Sequence, residues 1–205
     1  MKQLLLLAAA GLLLAGCNTN PDEAAATAPA MAAPAPTTTR PVSGLPTESV
    51  FQLPDTFETQ DKKPLHLPEL AGKPTLLAMV FTNCGYACPR LTDDMKAIET
   101  RLAADGQINY ALVSFDVARD SAAQLKKYAT EKDLGKNWVL LRGSEEAVRT
   151  LSVLLNVQYE KAADGNFSHA NKLIVLDKNG VPRFQQEGLG VNPDETIRQI
   201  KTLLK

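Results

Sequence analysis

The run Thr75-Leu76-Leu77-Ala78-Met79-Val80-Phe81, continued as Thr82-Asn83-Cys84-Gly85-Tyr86-Ala87-Cys88-Pro89-Arg90, decides how this chain is read. The apolar run predicts a buried strand, and the segment from Pro89 to Ala104 has the pattern of an amphipathic helix. Pro89 suits the first turn of that helix, where a missing N–H costs nothing. A strand feeding a cysteine-bearing loop that opens a helix brings both sulfurs close to the helix N-terminus. The dipole and free N–H groups there favour thiolate over thiol. Thiolate is the form that binds metal or attacks a disulfide, so the chemistry is expected at Cys84 and Cys88.

Working outward, Leu70 to Pro74 reads as a turn into the central strand, and Val50 to Phe57 as part of an N-terminal hairpin. Ile108 to Phe115 and Trp138 to Leu141 read as strands by their β-branched and apolar content. Ser121 caps a helix running to about Lys132, and Ser144-Glu145-Glu146 opens another, with acids in the first turn as the dipole prefers. Lys172 to Leu176 and Val181 to Gln185 flank Asp177-Lys178-Asn179-Gly180, a strong hairpin-turn signal. Asn192-Pro193-Asp194-Glu195 starts a final helix. Strands alternating with helices, then a hairpin and a last helix, predict an α/β protein: a thioredoxin-like sandwich with a central mixed sheet flanked by helices.

The N-terminal part of the 205 residues does not read as fold. Met1-Lys2, the apolar run Leu4 to Leu14 and Leu14-Ala15-Gly16-Cys17 together read as a signal peptide over residues 1–16. The apolar run is too short for a permanent membrane span. Its small-small-Cys ending resembles a bacterial lipoprotein signal, with Cys17 as the lipidated residue after cleavage. Residues 17–46 are Ala, Pro and Thr with almost no large apolar side chain, and read as a disordered, Pro-stiffened tether. The expected domain is 47–205. A lipid anchor would hold it at a membrane of the bacterial cell envelope, facing the periplasm. A net charge of −1 with acids and bases interspersed excludes a nucleic-acid partner, since no basic face or run is present.

Lipidation of Cys17 leaves one pair of the three cysteines, in an oxidising compartment. A structural disulfide closing so small a loop would constrain the unfolded chain little. Two cysteines four apart in regular helix would hold their Cβ atoms about 5–6 Å apart, against the roughly 3.5–4.5 Å of a disulfide. The spacing therefore fits a shared metal ion somewhat better than dithiol exchange, and two soft thiolates select Cu(I) or Zn. A third ligand must come from the two histidines. His66, between prolines in Pro64-Leu65-His66-Leu67-Pro68, reads as structural or solvated. His169, in a loop entering the strand Lys172 to Leu176, would face the cysteine turn in a thioredoxin-like fold. The residues alone leave open whether it is a ligand or an ordinary loop residue. No proline stands just before the strand that begins at Lys172, which counts against a general dithiol reductase. Thr82 stands two residues before Cys84 where a thiol peroxidase places a threonine three before.

The chain resembles the Sco (SenC) family of copper-handling proteins over most of the domain, roughly Val50 to Leu204. The resemblance rests on the Thr-x-Cys-x-x-x-Cys-Pro run from Thr82 to Pro89 and on Ser114-Phe115-Asp116-Val117-Ala118-Arg119-Asp120, similar to the family's Ser-x-Asp-Pro-x-Arg-Asp. His169 before an apolar strand and Asp177-Lys178-Asn179-Gly180, with Gly72-Lys73-Pro74 ahead of the central strand, completes it. It implies a membrane-tethered domain that binds one copper ion, Cu(I) or Cu(II), through Cys84, Cys88 and His169. Such proteins deliver copper to, or reduce the cysteines of, the dinuclear copper centre of cytochrome c oxidase, and need a thiol reductant. The resemblance also places Asp116 close to the metal loop as a possible accessory residue; by residue chemistry Asp116 and Asp120 read as Arg119 partners or helix caps. Gly85 stands where the family has Pro after the first cysteine, and Val117 replaces the Pro after Asp116. The family's anchor is often a transmembrane helix, so the lipoprotein start suggests a separate branch and leaves its client open. The alternative reading is a periplasmic thiol–disulfide oxidoreductase without a stable metal, Cys84 attacking and Cys88 resolving. A redox-linked copper buffer or sensor with no client is a third.

Overall fold

A computed structural model describes residues 44–104 and 106–205. The signal peptide, Cys17 and all of the tether before residue 44 lie outside the described residues. Among those described, Leu45 packs against the core and Pro46 accepts a hydrogen bond from the Ser49 amide. No helix of the described residues is long and apolar enough to cross a membrane.

A 3-10 turn at Val50–Gln52 precedes β1 (Thr56–Thr59) and β2 (Pro64–His66), which pair antiparallel. The expected hairpin is thus present but lies later than Val50 to Phe57. Phe51 is fully buried and plugs the core from the 3-10 turn instead of joining a strand. Then come β3 (Thr75–Val80), α1 (Ala87–Leu102), β4 (Asn109–Ser114), α2 (Ala122–Glu131), β5 (Trp138–Arg142) and α3 (Glu145–Leu154). A small hairpin, β6 (Tyr159–Lys161) and β7 (Phe167–His169), is followed by β8 (Lys172–Leu176), β9 (Pro182–Glu187) and α4 (Asp194–Leu203).

Seven strands form one sheet in the order β2-β1-β5-β4-β3-β8-β9. β3, β4 and β5 are mutually parallel, and the outer strands run antiparallel to their neighbours. All six residues of β3 and all five of β8 are buried, as strands covered on both faces must be, and that is why residues 76–80 and 173–176 read as unbroken apolar runs. The helices flanking this mixed sheet give the thioredoxin-like sandwich expected. α1 lies between α2, which it meets through Thr92 and Tyr128, and α4. Ser121 and Ser144 cap α2 and α3 as expected, accepting from the amides of Gln124 and Ala147.

At the β8–β9 turn, Asp177 accepts from the amides of Asn179 and Val181 and from Arg183 Nε. Gly180 closes it at φ +79°, and a Cβ there would lie 2.4 Å from the Phe51 ring. Only glycine meets both demands.

Candidate metal centre

The end of β3 delivers the chain to the cysteine loop. Cys84 lies in that loop, half-buried, and Cys88 is the second residue of α1 and fully buried. The two sulfurs are wired to the backbone: Cys88 Sγ accepts from the Phe81 amide at 3.4 Å, and Cys84 Sγ accepts from the Cys88 amide at 3.3 Å.

His169 arrives from the other side as the last residue of β7. It is a strand residue and not the loop residue expected. Strand β7 was missed because it is three residues long, although Asp164-Gly165 within the β6–β7 turn is a hairpin signal that could have found it. The ring Nδ1 lies 3.2 Å from the Ala170 carbonyl, so Nδ1–H donates there and leaves the Nε2 lone pair facing the sulfurs. Nε2 is 3.5 Å from Cys88 Sγ. The donor atoms of Cys84, Cys88 and His169 all lie within 4.8 Å of one another, and among the described residues they are the one such group of Cys, His and carboxylate donors. His66 sits apart on exposed β2, facing Thr56, as the structural reading expected. Two soft sulfurs and one imidazole nitrogen converging on one point suit a soft ion such as Cu(I) or Zn.

The electrostatics separate the two thiols. Burial raises the Cys84 pKa, but hydrogen bonds from the amides of Cys88, Tyr86 and Ala87 at the start of α1 outweigh it and bring the pKa below the ordinary thiol value. Burial dominates at Cys88, which is pushed far up despite the Phe81 amide. Cys84 is therefore the more exposed and more acidic thiol, suited to attack or to first contact with an ion. Burial lowers the His169 pKa, the Ala170 carbonyl opposing it weakly, so the imidazole is neutral and able to ligate.

Two acidic residues behind the site divide the labour. Asp120 is fully buried and accepts from the Thr82 amide at 2.9 Å, the Thr82 hydroxyl at 2.5 Å and the Ser114 hydroxyl at 2.5 Å. It ties the first residues of the cysteine loop to β4, while Ser121 alone caps α2. Nothing in local sequence distinguishes this role from a cap. Asp116, also buried, pairs with Arg119 and lies outside the three-donor cluster. Around His169 stand Phe81, Phe115, Phe167 and Tyr159; the Phe115 ring centroid is 5.1 Å from that of His169 and stacks on Tyr159 at 4.9 Å. This aromatic wall packs against one side of the imidazole and was not read from the sequence, because its members are spread from residue 81 to residue 167.

The pattern of the SCO1/SenC family matches residues 45–205. This chain belongs to the SCO1/SenC family. The SCO1 protein homolog of Bacillus subtilis (strain 168) is 36% identical over 156 residues, covering 73% of this chain and 80% of that relative. Among solved structures, a SCO1/SenC family lipoprotein from Bacillus anthracis str. Ames superposes with a TM-score of 0.68 at 26% identity, covering 73% of this chain and 92% of that one. Arabidopsis thaliana ScoI with copper bound gives 0.65 at 20% identity, over 72% and 96%, and shows the shared fold. The matched residues 45–205 include Cys84, Cys88, His169 and Gly85. A Cβ at Gly85 would meet nothing within 4 Å, so the loop has room for a larger residue there.

Proposed function

We propose that this chain is a copper-binding metallochaperone and thiol-redox protein. Its cargo is one copper ion, held by the thiolates of Cys84 and Cys88 and the neutral imidazole of His169. The observation carrying this reading is the convergence of those three donors on one point, with one sulfur reachable from solvent. Family membership and the copper bound to Arabidopsis thaliana ScoI support the choice of copper over zinc. The client is a respiratory copper site such as the dinuclear centre of cytochrome c oxidase, to which the chain passes copper or whose cysteines it reduces. The cysteine pair must be reduced by a thiol donor before Cu(I) can bind, so metal loading is coupled to redox state. Lipidation at Cys17, with residues 17–46 as tether, anchors the domain in the cell envelope facing the periplasm; the lipoprotein relative in Bacillus anthracis supports the lipid anchor.

Titrating the reduced, detergent-solubilised chain with Cu(I) against a chromogenic chelator tests the reading, beside Cys84→Ser, Cys88→Ser and His169→Ala. One tightly held ion per chain, lost in both cysteine variants and much weakened in His169→Ala, is expected. Binding no stronger than the chelator's would sink it and leave the dithiol oxidoreductase, whose activity would survive His169→Ala. The separation of the two thiols, one half-buried and more acidic and one fully buried, is the observation that favours that second reading.

A further inference from the structure

His169 does not belong to the main sheet. It sits on the two-stranded β6–β7 ribbon, which pairs with no other strand among the described residues. An isolated two-stranded hairpin is marginal in water, so the position of His169 depends on what grips the ribbon from outside. Beneath it lies a cavity of about 140 Å³, lined by residues that include Phe115, Asp116, Arg149, Tyr159 and Phe167. Packing of Tyr159 and Phe167 on Phe115 therefore does not fill all the space against the ribbon. At its base Arg149 of α3 lies over the Tyr159 ring, 4.7 Å from the centroid. At its tip a second arginine holds it: Arg119 Nη2 donates to the Gly165 carbonyl at 2.6 Å.

Arg119 could not hold that tip unaided, because its side chain is 37% exposed and rotamer-rich. Asp116 removes that freedom. The Asp116 carboxylate is 1% exposed and accepts from Arg119 Nε. The Asp116 amide is in turn tied to Ser114 Oγ at 3.0 Å, at the end of β4. Arg119 thus uses one edge of its guanidinium on Asp116 and another on Gly165, with its Cζ 6.0 Å from the Phe81 ring centroid. A planar fork can serve both partners at once, whereas a lysine ammonium cannot span them.

We propose that Asp116 is a positioning residue that acts on the metal site through Arg119, which latches the β6–β7 ribbon and so sets the position of His169. Asp116 is not a ligand, and its effect runs from β4 through Arg119 and Gly165 to the ribbon. The inference rests on the copper-site reading only in taking His169 as a ligand.

The test uses the full chain in detergent with Arg119→Ala, Arg119→Lys and Asp116→Asn, each alone and combined with His169→Ala. Hydrogen exchange read by mass spectrometry should show residues 159–169 exchanging about tenfold faster in Arg119→Ala and Arg119→Lys, a smaller rise in Asp116→Asn, and unchanged central-sheet amides. Cu(I) affinity, measured by chelator competition, should fall about tenfold in Arg119→Ala and fall no further when Arg119→Ala is added to His169→Ala. That non-additivity is what a merely structural role would not produce. Unchanged ribbon exchange overturns the proposal, as does an equal loss of affinity in both backgrounds. If the unmodified chain holds no copper, the metallochaperone reading falls, and the ribbon's exchange rate alone decides the latch.

Discussion

Replacing Asp120 tests whether the cysteine loop is held from behind. Its carboxylate is fully buried and accepts three hydrogen bonds, from the Thr82 amide and from the hydroxyls of Thr82 and Ser114. Hydrogen bonds to a charged group contribute about 1.5–3 kcal/mol each, which bounds the loss at roughly 4–9 kcal/mol in Asp120→Ala. Both hydroxyls can turn toward other acceptors, and the variant no longer buries a charge, so a cost of about 3–5 kcal/mol is expected. Asp120→Asn behaves differently. Its amide oxygen can still accept from the Thr82 amide and Ser114, while its NH₂ turns to the Thr82 hydroxyl. Three neutral bonds replace three charged ones, at a cost of about 1–2 kcal/mol. Urea unfolding followed by circular dichroism gives both values, and chelator competition gives the copper affinity of the folded variants. Copper affinity should fall more in Asp120→Ala than in Asp120→Asn, because Thr82 lies two residues from Cys84. A loss under about 1 kcal/mol in Asp120→Ala, or equal losses in the two variants, would refute the reasoning.

Three further outcomes are expected. Copper uptake should release protons and weaken as pH falls, by up to about tenfold per pH unit for each proton released, because the raised pKa of Cys88 keeps that thiol protonated at neutral pH; a pH-independent affinity between about pH 6 and 8 would contradict it. Gly180→Ala should destabilise the domain by about 2–4 kcal/mol, since it combines a strained backbone with a Cβ driven into the buried Phe51 ring; thermal unfolding measures it. At Asp177, burial is outweighed by the amides of Val181 and Asn179 and by Arg183, so the folded-state pKa lies below the ordinary carboxylate value. A lowered pKa gives stability that is present above the unfolded-state value and lost as pH falls through the folded one. Asp177→Asn should therefore cost about 1–2 kcal/mol at neutral pH, with the gap to the parent closing below about pH 4 in acid-unfolding curves.

Local chemistry made much of this protein legible in its sequence. Unbroken apolar runs announced β3 and β8, serines before helical patterns announced α2 and α3, and Asp177-Lys178-Asn179-Gly180 announced the β8–β9 turn. These features depend on neighbours within a few residues, which is the range over which propensity and capping act. The two cysteines were legible for the same reason, because their spacing and the helix start are adjacent in the chain. Outside that range the sequence was silent. Phe51 reads like a strand residue until the β8–β9 turn is seen to close over it. His169 stood even between ligand and bystander until β7 brought its Nε2 to Cys88 across 81 positions of sequence. Asp116 and Asp120, four apart in one loop, look interchangeable as strings of letters. The fold aims one at Arg119 and the other at Thr82, because the turn at residues 117–119 lies between them and sends the two carboxylates to different neighbours. Residue type and short spacing thus determined which atoms could do chemistry, and only the tertiary structure, by closing long loops around one buried sheet, decided which of them meet.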